Sequence, residues 1–212
     1  MKKRALLSVS DKTNLIPFAQ GLERLGYEII STGGTLQLLQ DAGVSAIAVD
    51  SVTGFPEILD GRVKTLHPKV HGGLLAKRSN EEHIQALQEN NIDPIDIVVV
   101  NLYPFKETLA KEGVSHDEII ENIDIGGPAM LRASAKNYED VAVIVDPNDY
   151  NNVLELLEKG VLEVSIRQEL AAKVFRHTAH YDSMIATYFS SETNDLFTET
   201  FTRTYERVQS LR

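Results

Sequence analysis

Residues 5–49 read ALLSVSDKTNLIPFAQGLERLGYEIISTGGTLQLLQDAGVSAIAV, and this stretch determines the fold class of the chain. Three short apolar runs, at 5–9, 27–30 and 46–49, alternate with two segments whose apolar residues recur every three or four positions. Such alternation of strand and helix is typical of a parallel sheet with crossover helices. Two more apolar runs, Ile95–Asn101 and Val141–Val145, have the continuous apolar character of strands buried on both faces. The sequence therefore predicts an α/β fold with a mainly parallel sheet.

The pattern changes after residue 150. Apolar and aromatic residues at steps of three and four run from Ile166 to Tyr188, which predicts one long helix. We expect a single domain, with a parallel α/β core at residues 1–150 and a helical extension of the same domain at 151–212. The long helix would either cover the sheet or form the interface of a homodimer.

Composition excludes several classes of protein. The 212 residues are 42% hydrophobic and 25% charged, as in ordinary globular proteins, and the formal net charge is −10. The absence of cysteine excludes disulfides, thiolate metal sites and cysteine nucleophiles. No apolar run approaches the roughly 18–20 residues of a membrane helix, and the acidic balance argues against nucleic-acid binding. We expect a cytoplasmic protein that binds neither membrane nor nucleic acid.

Polar side chains follow the predicted strands, where ligands of open α/β sheets bind. Ser10 and Lys12 follow the first strand, and Asn101 and Tyr103 follow the run at 95–100. The second strand is followed by STGGT, which comprises Ser31, Thr32, Gly33, Gly34 and Thr35. Small residues and hydroxyls at the start of a helix suit a phosphate. A glycine-rich turn without a ligand is the plain alternative, and Lys12 nearby favours the phosphate.

A second candidate is GRVKTLHPKVHGG, Gly61–Gly73, which holds three cations and no acid in an acidic chain. It is either a solvated basic loop or an anion site. His67 and His71 have the i, i+4 spacing of a zinc helix, but Pro68 lies between them and two glycines follow. We therefore expect no helix there and no metal site. His177 and His180 are expected to belong to a packed helix face.

Asp124 precedes a predicted helix, and Lys136 lies near the end of that helix. Capping at one end and compensation of the helix dipole at the other would explain both charges locally. A role in catalysis is the alternative.

Read together, these stretches resemble one family over nearly the whole chain. The motifs are SVSDK, STGGT, GRVKTLHPKVHGG, NLYPF, NIDIGGPAMLRASAKN and FRHTAHYD. In this order they resemble the inosine-monophosphate (IMP) cyclohydrolase domain of the bifunctional purine-biosynthesis proteins. The second domain of that family, aminoimidazole carboxamide ribonucleotide formyltransferase, would begin about where this chain stops, so we expect the chain to be part of a longer, bifunctional enzyme.

The resemblance implies a methylglyoxal-synthase-like three-layer fold and one reaction, the last step of de novo purine biosynthesis. The enzyme would close the ring of 5-formamidoimidazole-4-carboxamide ribonucleotide to give IMP and water, without cofactor or metal. The implied phosphate ligands are Ser10, Lys12, the STGGT turn and Arg62. The implied catalytic residues are Lys64, Tyr103, Asp124 and Lys136. The implied contacts to the base are Thr65, Asn101, Gly126 and Gly127.

Two other functions remain as alternatives. One is a methylglyoxal-synthase-like enzyme that eliminates phosphate; that family carries a histidine before the aspartate that follows the first strand, where this chain has Ser10 before Asp11. The other is a non-catalytic nucleotide-sensing module, which would need the phosphate site but not the joint presence of Lys64, Tyr103, Asp124 and Lys136.

Overall fold

A single parallel sheet forms the centre of the molecule. The computed structural model describes residues 2–193 and 199–209. Within these residues the sheet has five strands in the order β3-β2-β1-β4-β5, and every pairing is parallel. The strands are β1 (Lys3–Val9), β2 (Tyr27–Ser31), β3 (Ala46–Ala48), β4 (Ile97–Asn101) and β5 (Ala142–Ile144). The predicted α/β class and parallel sheet are confirmed.

Helices connect the strands and continue beyond them. In the described part of the chain they are α1 (Leu15–Arg24), α2 (Gly33–Asp41), α3 (Val49–Thr53), α4 (Pro68–Leu75), α5 (Glu81–Glu89), α6 (Phe105–Leu109), α7 (His116–Glu121), α8 (Gly126–Lys136), α9 (Tyr150–Glu158) and α10 (Val164–Glu192). A 3-10 turn, Pro147–Asp149, precedes α9. Across residues 2–193 and 199–209, every helix is too short or too polar to cross a membrane.

Neighbouring residues of each strand point to opposite sides of the sheet, and helices cover both faces. Leu6 belongs to a core cluster with residues of α4, α8 and α10. Leu7 belongs to a second cluster with residues of α1, α2 and α9. Both leucines are fully buried, and each such burial contributes about 1.5–3 kcal/mol. The three-layer arrangement expected from the resemblance is therefore present.

The long carboxyl-terminal helix is α10, as predicted. It packs against α8 and β5 and contributes Ala171, Val174 and Tyr181 to the first core cluster. Part of its apolar stripe is thus buried in the chain's own core, whereas Ile185 and Tyr188 are only partly buried against it, and a dimer interface on this helix stays a prediction. The division into a core at 1–150 and an extension at 151–212 stays a prediction.

The expectation of no helix around His67 and His71 was wrong, because α4 occupies this stretch. Pro68 is its first residue, where a missing N–H is tolerated. The His67 Nδ1 atom caps the helix by accepting the Lys69 N–H at 3.1 Å. Gly73 lies inside the helix, and a Cβ there would come within 2.8 Å of the Asp93 carbonyl oxygen. The absence of a side chain at Gly73 thus permits the close approach of the Asp93 backbone, and this glycine does not end the helix.

Candidate active site

A cleft of about 540 Å³ lies at the carboxyl ends of β1, β2 and β4. Strand order reverses beside β1, and open α/β sheets bind ligands at such a point. The volume is within the range of about 300–1,000 Å³ usual for small-molecule sites. Of the residues singled out in the sequence, the cleft is lined by Ser10, Lys12, Thr32, Gly33, Gly34, Thr35, Arg62, Lys64, Thr65, Asn101, Tyr103, Asp124, Gly126 and Gly127.

Ser31 and Lys136 are not brought to this cleft. The Ser31 hydroxyl is buried in the sheet and donates to the Leu7 carbonyl at 2.7 Å. Lys136 is exposed at the last residue of α8. At 1.5 Å per residue it lies roughly 15 Å along the helix axis from Gly126. Catalysis by Lys136 within its own chain's cleft therefore lacks structural support.

The start of α2 is fixed to the end of β1 by hydroxyl groups. The Thr35 Oγ1 atom accepts the Val9 N–H at 3.1 Å and donates to the Val9 carbonyl at 3.0 Å. Thr32, at the N-cap, shares a 2.8 Å hydrogen bond with the Ser8 hydroxyl. Gly33 has φ +47°, a conformation that favours glycine. The positive end of α2 is thereby held against the cleft, which favours an anionic ligand.

Asn101 braces the loop that carries Ser10 and Lys12. Its Oδ1 atom accepts the N–H groups of Ser10 at 2.7 Å and Asp11 at 2.9 Å. Its Nδ2 atom donates to the Asp11 carbonyl at 3.1 Å. Most of the hydrogen-bonding capacity of this amide is thus committed within the protein. Asn101 lines the cleft, but its contacts shape the adjacent loop.

The basic stretch contributes Arg62 and Lys64 to the cleft. Arg62 is paired with Glu121, which raises the pKa of the guanidinium and lowers that of the carboxyl. The Lys64 Nζ atom lies 3.3 Å from Glu57 Oε2 and 4.0 Å from the place of a Cβ at Gly33. The Lys64 ammonium group therefore lies close to the amino end of α2.

Asp124 lies at the start of α8. Its Oδ1 atom accepts the Gly127 N–H at 2.8 Å. Burial raises the pKa of this carboxyl, while backbone hydrogen bonds from Gly127 and Tyr103 and the charge of Lys64 oppose the rise. The net shift is upward. A carboxyl of raised pKa in a cleft, with a lysine near it, is a candidate for acid–base chemistry.

Two glycines let the start of α8 approach the other groups of the site. A Cβ at Gly126 would lie 2.7 Å from Thr65 Oγ1, and a Cβ at Gly127 would overlap the Asp124 carboxylate. Because neither position has room for a side chain, the amino end of α8 faces the cleft directly. The cleft is thus bordered by the positive ends of two helices, α2 and α8.

Sequence reasoning missed several residues of the site. Ser8 and Glu121 line the cleft or its mouth, and Glu57 pairs with Lys64. Tyr181 reaches the Asp124 turn from α10, whereas the sequence indicated only a packed stripe. Glu57 lies in an irregular segment, where no periodicity marks it, and Glu121 is the last residue of α7, so only the fold brings these two glutamates to the cleft.

The histidines do not assemble into a metal site. Residues 2–193 and 199–209 contain no group of three side chains placed to hold a metal ion. His67 caps α4, and burial lowers the pKa of His71 and His177. His180 contacts Thr204 and Glu206. A reaction without metal or cofactor stays a prediction.

Two family models match this chain. The MGS-like domain matches residues 14–129, and the AICARFT/IMPCHase bienzyme matches residues 134–212. The boundary between the matches falls within α8, and the second match includes α10, whereas the cleft residues at the end of β1 precede the first match.

Curated relatives match over the full length of the chain. It is 62% identical over 212 residues to the bifunctional purine biosynthesis protein PurH of Oceanobacillus iheyensis. It is 61% identical over 211 residues to the protein of the same name from Bacillus subtilis. The chain spans 42% and 41% of the length of these proteins. A crystal structure of ForH is 41% identical, covers 90% of this chain and 100% of its own, and superposes with a TM-score of 0.82.

Proposed function

This chain belongs to the MGS-like domain family of the AICARFT/IMPCHase bienzymes, and we propose that its cleft is the active site of an IMP cyclohydrolase. The reaction closes the ring of 5-formamidoimidazole-4-carboxamide ribonucleotide and releases one water. The observation that carries the proposal is Asp124, a carboxyl of raised pKa that faces the same cleft as Lys64. A nucleotide-sensing module would need the phosphate contacts but not this pair.

The 5′-phosphate would bind between the ends of β1 and β2. Ser10, Lys12 and the Thr32–Thr35 turn line this part of the cleft, and the amino end of α2 adds its partial positive charge. Arg62 would exchange Glu121 for the phosphate. Cations and a helix end placed together suit a monoanion or dianion, which agrees with a nucleoside monophosphate.

The base would then lie toward the start of α8, near Thr65, Gly126 and Gly127. Both reacting groups belong to one substrate molecule, so a large part of catalysis is to hold them in the folded conformation. The closely packed start of α8 provides a rigid surface for this purpose.

The chemical steps assign one role to each remaining polar group. The carboxamide nitrogen attacks the formyl carbon, and Asp124 takes the proton that the nitrogen loses. Lys64 stabilises the negative charge that forms on the former formyl oxygen. Tyr103 or a lysine then protonates that oxygen to a hydroxyl, and the proton held by Asp124 passes to this hydroxyl so that it leaves as water. The former formamido nitrogen forms the ring C=N bond and loses its own proton, which restores the acid that protonated the oxygen. Lys136 has no assigned step, because it lies far from this cleft.

The direct test is to add the formylated ribonucleotide to the purified chain and follow IMP by absorbance. The unformylated ribonucleotide is the matched control, because it has the same phosphate but no electrophile. We expect IMP from the first and no reaction with the second. A chain that binds IMP without turnover would favour the sensing module, and release of phosphate from a triose phosphate would favour the methylglyoxal-synthase-like alternative.

We also propose a linked second domain and a homodimer. We expect a formyltransferase domain in the same protein, since the relatives are bifunctional and longer than this chain. We expect a homodimer, which sedimentation at micromolar concentration would test. A cytoplasmic location and the absence of nucleic-acid binding stay predictions.

A further inference from the structure

Tyr181 connects α10 to the turn that carries Asp124. Its hydroxyl oxygen accepts the Asp124 N–H at 2.8 Å and donates to the Asn122 carbonyl at 3.3 Å. The side chain is buried, with 3% of the residue exposed. Its ring meets Phe105 edge-on, with ring centroids 5.9 Å apart. One hydroxyl thus bonds to two residues, Asn122 and Asp124, of the short segment between α7 and α8.

This contact acts on the backbone that sets the place of the Asp124 carboxyl. Asp124 makes two separate attachments, one through its N–H to Tyr181 and one through Oδ1 to the Gly127 N–H. Loss of the first leaves a backbone donor without its partner in a buried setting, so the turn must shift to find another. A shift of about 1 Å in a reacting group can lower a rate 10²-fold.

We propose that Tyr181 is a positioning residue that holds the Asp124 turn in the geometry required for proton transfer during ring closure. The inference rests on the proposed function and deepens it. It makes α10 part of the catalytic apparatus as well as a cover for the sheet. Tyr181 itself does not line the cleft, so it acts through Asp124.

Tyr188 is a matched control on the same helix. Its ring also meets Phe105 edge-on, with centroids 6.3 Å apart. Its hydroxyl, however, is 2.6 Å from His116 Nδ1 and not at the Asp124 turn. The two tyrosines therefore share ring packing and differ in what the hydroxyl holds.

The experiment compares wild type, Tyr181→Phe and Tyr188→Phe. For Tyr181→Phe we expect kcat to fall on the order of 10–100-fold, with KM and the Kd for IMP within about two-fold of wild type. Tyr188→Phe should keep the wild-type kcat. Hydrogen exchange at the Asp124 amide should accelerate in Tyr181→Phe only. The retained ring should keep the fold, which the thermal midpoint would verify.

The pH profile provides a second readout. The groups facing the carboxyl are Lys64, Tyr103 and Tyr181, with Asp182 beside Tyr181. A loosened turn admits water to Asp124, so the acid limb of kcat should move to lower pH in Tyr181→Phe.

Equal kcat for the two phenylalanine variants would overturn the inference. So would a parallel loss of kcat and IMP affinity, because that indicates a general structural defect. A wild-type chain without activity would instead overturn the proposed function, and the positioning role with it.

Discussion

Replacing Asp124 by asparagine is the sharpest test of the proposed chemistry. The asparagine Oδ1 atom can still accept the Gly127 N–H that Asp124 accepts at 2.8 Å. The change therefore removes the proton acceptor and retains the bond that orders the start of α8. The carboxyl also accepts the Tyr103 backbone N–H, so a loss of rate is attributed to chemistry where the thermal midpoint shows a folded protein.

The expected loss follows from the role of the carboxylate. A general base contributes typically about 10²–10⁴-fold, so kcat should fall by that factor while KM stays within about three-fold. Wild-type kcat should fall as the pH decreases through the raised pKa of Asp124, because the base becomes protonated. The asparagine variant should lack this limb.

The same substitution should lower kcat but leave the thermal stability of the protein equal or higher. Since the pKa of Asp124 is raised in the fold, folding disfavours its ionised form at neutral pH. That penalty is absent below the ordinary carboxyl pKa, grows as pH rises to the raised value and is constant above it. Asp124→Asn should therefore unfold at an equal or higher temperature than wild type at neutral pH, and the difference should vanish in acid.

The assay combines IMP absorbance kinetics across pH with thermal denaturation. Asp124→Ala is the comparison, because it also removes the capping bond and should lower the free energy of unfolding by about 0.5–2 kcal/mol. A kcat for Asp124→Asn within about three-fold of wild type, in a folded protein, would refute the assignment of Asp124 as the base.

Three other predictions follow from the site. Lys12→Ala and Arg62→Ala should each raise KM about 10-fold or more with little change in kcat, since the phosphate does not change during ring closure; steady-state kinetics would contradict this if kcat fell instead. Gly126→Ala should lower the free energy of unfolding by about 1–3 kcal/mol, because its Cβ would meet Thr65 Oγ1 at 2.7 Å; denaturant titration measures it. Dialysis against a chelator should leave kcat unchanged, and recovery of lost activity by zinc would show that a metal is required.

The strands of the sheet could be predicted because each one is marked by a run of a few consecutive apolar residues. A strand buried on both faces must be apolar throughout, and Ile97–Val100 meets that condition with every residue buried. The carboxyl ends of parallel strands then meet at one edge, so the sequence alone predicts that Ser10 and Thr32 lie close together.

Contacts between distant segments were not predictable in this way. The sequence does not reveal α4, because glycines usually end a helix, whereas Gly73 lies inside this one and permits the close approach of Asp93. Tyr181 was assigned to an apolar stripe, and its ring does lie in the core. Its hydroxyl contact with Asp124 spans 57 positions of sequence, and no local pattern records such a pairing.

The basic stretch at 61–73 has two structural parts, an irregular segment and the helix α4. Arg62 and Lys64 lie on the irregular segment and line the cleft. His67 then caps α4, and Lys69 belongs to that helix, where its Nζ atom lies 4.0 Å from the place of a Cβ at Gly54. A solvated loop is therefore wrong for the second half of the stretch, which lies in α4, and an anion site at Arg62 and Lys64 stays a proposal. The last residue of the stretch that lines the cleft is Thr65, and α4 with its cap at His67 follows, so the functional and structural parts of the stretch are consecutive in sequence.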